Sequence, residues 1–255
     1  MREQLLLVFL LLFFGCKPSK YLQNDAVKLS PPIIFCNHVL FEGSTEVKIS
    51  STAENAKVQY SINGNKFTTY NGPFDITEPA TIKARATGGG YVTSDETALE
   101  VRPLTKLEII SITSSRVLDD KYGEGGLKLL MDRKKGSADF NEGWLGYSGG
   151  SVIFDLVFDE YTVKQVVLST LRKQGAWIFD PYKINIYSND QLIGSSTIMD
   201  AEKEKKDGEQ FAVIEVKSEA VTSLKIEVLT LNEIPNWHAA KGNKPWLFID
   251  EILVY

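Results

Sequence analysis

Apolar and polar positions alternate with a period of two in several short runs of this chain. Residues 46–50 alternate, residues 57–62 alternate, and Asn63-Gly64 directly after the second run is a strong hairpin turn. With further runs at 73–76, 80–86 and 97–101, the stretch from Pro31 predicts a small β-sandwich. The pattern breaks near Arg102-Pro103-Leu104-Thr105. Beyond it, residues 151–158, 163–171, 182–187, 211–217, 223–229 and 247–254 are rich in β-branched and aromatic side chains and predict strands. Helical periodicity is nearly absent, with room for one turn over 126–131. Antiparallel strands joined by long loops predict a jelly-roll sandwich. Residues 201–210 mix both charge signs between two strands and predict a solvated hairpin loop.

The N-terminus breaks this pattern. Ten apolar residues, 5–14, follow Met1-Arg2-Glu3-Gln4 and end at Gly15-Cys16, after which Lys17-Pro18-Ser19-Lys20 is polar. The run is too short to span a bilayer and has the form of a signal peptide. Gly15-Cys16 resembles the lipobox of bacterial lipoproteins, although Phe13-Phe14 departs from the usual residues before it. That resemblance implies cleavage before Cys16, lipidation of its thiol and a membrane anchor, with residues 17–28 as tether. It implies the bacterial outer membrane or cell surface, the periplasmic face being the alternative. One thiol then remains, Cys36, which lies in an apolar run and suits a small core residue better than a nucleophile.

Charge narrows the partners. With 28 Lys+Arg against 33 Asp+Glu the net charge is -5 and no basic cluster stands out, so nucleic acid is excluded. Nucleophilic catalysis finds little support. Gly146-Tyr147-Ser148-Gly149-Gly150 spells a nucleophile motif, but a strand rather than a helix follows Ser148, and the only histidines are His38 and His238. The carboxylate pairs Asp119-Asp120 and Asp250-Glu251 are sequence neighbours, which on a strand point to opposite faces.

Two resemblances add to these readings. "SPPIIF", "VQYSINGNKFTTYNGPFDI" and "ATIKARATGGGYVTSDE" resemble the immunoglobulin-like C-terminal module of chitobiases and hexosaminidases, which implies an appended spacer over residues 29–103. "LMDRKKGSADFNEGWLGYSGGSVIFDL", "WIFDPYKINIYSND" and "IPNWHAAKGNKPWLFIDEILV" resemble discoidin-like, galactose-binding-like domains, in particular the tail of Bacteroidetes-type β-hexosaminidases, over residues 104–255. The catalytic barrel of those enzymes has no counterpart here. The fold class is therefore all-β, an immunoglobulin-like sandwich followed by a discoidin-like jelly roll.

The second resemblance also implies a structural calcium ion, held by Asp132, Ser137, Glu251 and backbone carbonyls around Lys135, with Arg133 where the family usually has Gly. The alternative is a solvated Asp132 and a Glu251 in an ordinary ion pair. All four tryptophans fall in the second domain. Trp144 and the loop residues Asn236, Trp237 and His238 combine indole faces with polar donors, as sugar recognition requires, whereas Trp177 and Trp246 sit in apolar runs that suit the core. The expected function is non-catalytic carbohydrate binding by an envelope lipoprotein. The alternatives are a structural module docking an envelope protein partner, and an enzyme related to glycoside hydrolases.

Overall fold

The computed structural model describes residues 27–137, 139–198 and 206–255. Cys16, the expected signal peptide and most of the expected tether lie outside them, as does the first half of the charged run 201–210. The chain folds as two β-sandwiches in succession.

The first holds β1 (Ile33–Cys36), β2 (Leu40–Phe41), β3 (Thr45–Ser50), β4 (Lys57–Ile62), β5 (Thr68–Thr69), β6 (Phe74–Ile76), β7 (Ala80–Thr87) and β8 (Thr97–Pro103). One sheet has the order β1-β3-β6 and the other β2-β8-β7-β4-β5. Buried positions alternate along β3 and β7, which sends Val47, Ile49, Ile82 and Ala84 into the space between the sheets. Asn63 and Gly64 take φ of 52° and 76°, the left-handed region their turn requires.

The second holds β9 (Ile109–Ser114), β10 (Leu145–Ser148), β11 (Val152–Thr162), β12 (Gln165–Arg172), β13 (Lys183–Ser188), β14 (Gln191–Thr197), β15 (Gly208–Glu215), β16 (Ala220–Leu229) and β17 (Trp246–Val254). A five-stranded sheet, β14-β13-β16-β11-β9, packs on a four-stranded one, β10-β17-β12-β15. Phe154, Phe158, Leu168, Ile184, Ile226 and Ile249 meet between them. β12 and β17 do not alternate, because both of their faces are buried. Their inner faces join this core, and on the outside Val167 and Leu253 meet Leu40 of β2 and Leu104 of the linker. Burial on both sides explains why 247–254 is apolar without alternation on either side of Asp250-Glu251.

Six strands arise where no run predicted one: the short β1, β2 and β5 of the first sandwich, and β9, β10 and β14 of the second. β15 begins at Gly208, inside the run expected to be a loop, and the helical turn over 126–131 is a 3-10 turn at Leu127–Met131.

Candidate functional site

The loops at one end of the second sandwich bring its aromatic residues together. Trp246 opens β17, donates its N–H to the Trp177 carbonyl (2.8 Å) and accepts from the Phe179 N–H (3.0 Å). Its ring packs edge-on to Tyr122, 5.1 Å between centroids, and Tyr122 continues to Phe248 (4.9 Å) and Phe140 (6.2 Å). The Lys173 ammonium lies 4.9 Å over the Phe140 ring. Contrary to the core role its sequence context suggests, Trp177 is 40% exposed. It caps the short 3-10 turn Gln174–Ala176 at φ 66°, a left-handed conformation unusual for a bulky residue, and so its side chain leaves the core.

The loop 236–238 sits beside it. The Gln174 carbonyl accepts the Trp177 N–H (2.8 Å) and lies 3.1 Å from His238 Nε2. The Ala240 N–H donates to His238 Nδ1 (3.0 Å), which makes Nδ1 the acceptor and leaves Nε2 to donate to Gln174. His238 thereby ties the two loops together. Its ring and that of Trp237 pack on Phe179 at 5.7 and 6.3 Å, while Asn236 is exposed.

Trp144 does not join Trp237 and His238. It is only 3% exposed, with Nε1 donating to the Ser137 carbonyl (2.9 Å) and the Lys135 ammonium 4.8 Å over its ring. The little of it left uncovered forms part of a cavity of about 250 Å³ lined by Lys121, Tyr122, Glu124, Asn141 and Glu142 as well. Sequence reasoning missed Tyr122, Asn141 and the exposure of Trp177. The available signal was an aromatic residue in a Gly-rich charged loop, Lys121-Tyr122-Gly123-Glu124-Gly125-Gly126.

The calcium candidates divide. Glu251 is 1% exposed, and its Oε2 is buried without a hydrogen-bond partner. Burial pushes its carboxyl up to about 8; the N–H groups of Arg133 and Lys134 oppose this, and the nearby carboxylates of Asp132 and Asp250 add to it. Asp132 is near enough for its charge to be felt at Glu251, while its Oδ1 accepts from the Lys134 N–H (2.9 Å). Ser137 is engaged elsewhere, because its hydroxyl bridges the N–H and carbonyl of Asp139 (3.1 and 2.8 Å). Among the described residues no group of three or more His, Cys, Asp or Glu side chains is arranged to hold a metal. What could meet a cation is narrower: the buried Glu251 carboxylate with its orphan oxygen, and the charge of Asp132 in its surroundings.

Asp250 and Glu251 do not diverge as strand neighbours should. Ser169 pairs with Glu251 and Thr170 with Ile249, so Asp250 is the extra residue of a β-bulge. The bulge turns both carboxylates toward the loop 132–136. Asp250 accepts from the Gly136 N–H (2.6 Å) and pairs with Lys135 (2.9 Å), whose ammonium also contacts the Ser169 hydroxyl. Burial raises the Asp250 carboxyl above the ordinary range despite that ammonium.

Ser148 is a strand residue of β10, opposite Trp246, and its carbonyl accepts from Arg116 (3.0 Å). A nucleophile elbow, a turn entering a helix, is not what surrounds it.

A family model described as the chitobiase/beta-hexosaminidase C-terminal domain matches residues 40–98, within the first sandwich. No curated protein matches the chain. Among solved structures, the chain is similar to a SusE-like protein at 11% identity, covering 87% of this chain and 95% of that one with a TM-score of 0.35. It is similar to the CBM32 of AlyQ, solved with 4,5-unsaturated mannuronic acid, at 11% identity, 59% and 98% coverage and a TM-score of 0.32. A two-domain protein of unknown function from Bacteroides fragilis gives 11% identity, 90% coverage of each chain and a TM-score of 0.32.

Proposed function

We propose that the protein is a non-catalytic glycan-binding lipoprotein of the bacterial envelope, anchored through Cys16, whose second sandwich holds a sugar at the loop end around Tyr122 and Trp177. The observation that carries this reading is the cavity of about 250 Å³ with aromatic surface from Tyr122 and Trp144 and a polar rim of Lys121, Glu124, Asn141 and Glu142. Just under the roughly 300 Å³ at which small-molecule clefts begin, it suits one sugar unit. A pyranose presents one face of C–H bonds to an aromatic ring, while its hydroxyls need both donors and acceptors, and the rim supplies both. Trp177 offers a second stacking surface for the next unit of a chain.

The full mature chain should bind one class among mucin, chitin-type and plant glycans on an array, with about tenfold weaker binding, or about 1.4 kcal/mol, in Tyr122→Ala and in Trp177→Ala. Silence across all three classes would overturn the reading. In cells, Cys16→Ser should move the protein from the membrane to the soluble fraction; unchanged fractionation would remove the anchor.

We also propose that Asp132 and Glu251 hold a structural divalent cation, calcium by the preference of oxygen-only sites. The orphan Oε2 of Glu251 supports this. A bound cation would neutralise the carboxylates it ligates and stabilise the loop, and it takes part in no reaction.

A further inference from the structure

Lys135 carries its ammonium into the second sandwich. Its side chain is 12% exposed, and the Asp250 side chain it meets at 2.9 Å is 0% exposed. The rings of Trp144 (4.8 Å) and Phe211 (5.3 Å) flank the ammonium and shield the pair from bulk water. Taking both charges out of water is costly, and only well-placed partners offset it. Here the partners are divided unequally. Asp250 Oδ2 takes both the ammonium and the Gly136 N–H (2.6 Å), while Oδ1 is buried with no hydrogen-bond partner. The ammonium also contacts the Ser169 hydroxyl and the Glu209 carboxylate (3.4 Å), whose side chain is 36% exposed. A cavity of about 380 Å³, with Lys135, Gly136 and Glu209 in its walls, lies beside the group. Contact with Oδ2 puts the Lys135 Nζ within about 4 Å of the Asp250 Cγ, one carbon–oxygen bond further on.

We propose that Lys135 and Asp250 condense to an intramolecular amide, joining Nζ to Cγ and releasing one water. The step balances without a co-reactant. The ammonium gives up two protons, the Nζ lone pair bonds to Cγ, and Oδ1 leaves with both protons as water. Glu209, in contact with the ammonium, takes the protons from nitrogen. The Gly136 N–H holds Oδ2 while the tetrahedral carbon forms, as an oxyanion donor does. Enclosure by the two aromatic rings leaves the amine poorly solvated, which favours its attack. The product replaces two buried charges with one neutral amide whose Oδ2 already has its partner, and it removes the orphan oxygen. It also fastens the loop 132–136 to β17, closing a long loop that the unfolded chain would otherwise leave open.

The test is a tryptic digest of the full mature chain, denatured first and read by mass spectrometry. The wild type should yield a branched peptide in which Lys135 is joined to Asp250, lighter by one water than its two arms together. Asp250→Asn keeps the shape of the site and should yield the same branched peptide, with ammonia lost in place of water. Glu209→Gln alters a partly exposed position and leaves the Lys135–Asp250 contact in place, so the fold is kept. It should slow the appearance of the branched peptide after cell-free synthesis about a hundredfold. Residues 135 and 250 found in separate wild-type peptides at their full masses would overturn the bond. A water loss confined to one peptide, as internal cyclisation of an aspartate gives, would overturn it equally. Linkage in Glu209→Gln as fast as in the wild type would remove the role given to Glu209.

Discussion

Glu251 sits in an environment far from that of an ordinary carboxyl. Its carboxyl is raised from 4.5 to about 8, burial being the largest cause. The sign of the pH effect follows. Between those two values the folded chain keeps a proton that the unfolded chain has released, so stability is highest at the acid end and falls as pH rises toward 8. The loss attributable to this group is at most about 4 kcal/mol. In chelator, urea unfolding at pH 5 and pH 8 should show this fall in the wild type and a much flatter response in Glu251→Gln, which mimics the neutral acid. Parallel behaviour of the two proteins would show that Glu251 titrates normally. Calcium added at pH 8 should restore part of the wild type's stability by binding the ionised form.

At the level of elements, the long connection from β9 to β10 carries most of the chemistry, and it is held by close approaches rather than by regular structure. A Cβ added to Gly136 would lie 2.4 Å from the Trp144 ring, and one added to Gly143 would lie 3.0 Å from Gly136 Cα. Gly136→Ala should therefore destabilise the second sandwich by about 1–3 kcal/mol through overpacking, and should red-shift tryptophan emission as Trp144 is displaced. An unchanged midpoint and spectrum would mean the loop yields freely. The same loop marks where sequence reasoning stopped. Strands with one wet face, such as β3, β7 and the first part of β11, were readable because burial alternates along them. β14 was not, since Gln191-Leu192-Ile193-Gly194-Ser195 has no clean alternation and Leu192 is 52% exposed. The site was readable only as residue types. That Asn236, Trp237 and His238 lie in a loop follows from the chain; that Trp144 turns inward and Trp177 outward depends on one left-handed residue and one close glycine. The bulge at Asp250 likewise leaves no mark in the local sequence.

At the scale of the molecule, the two sandwiches share a buried seam. Leu40 and Leu104 pack against Val167, Phe211, Leu253 and Tyr255. The Tyr255 hydroxyl donates to the Pro103 carbonyl (2.6 Å), and Arg102, 7% exposed, reaches Gln165 (3.4 Å) and lies 5.3 Å over the Phe211 ring. Because β12 and β17 are core strands of the second sandwich whose outer faces form this seam, opening it exposes apolar surface on both sides. Cooperative unfolding follows when the interface free energy is comparable with the stability of the weaker domain. Calorimetry of the wild type should then show one transition. Leu253→Ala removes a buried side chain at a cost of about 2–4 kcal/mol and should separate the transition into two, the first sandwich melting earlier. Two transitions already present in the wild type would mean that the seam only positions the domains.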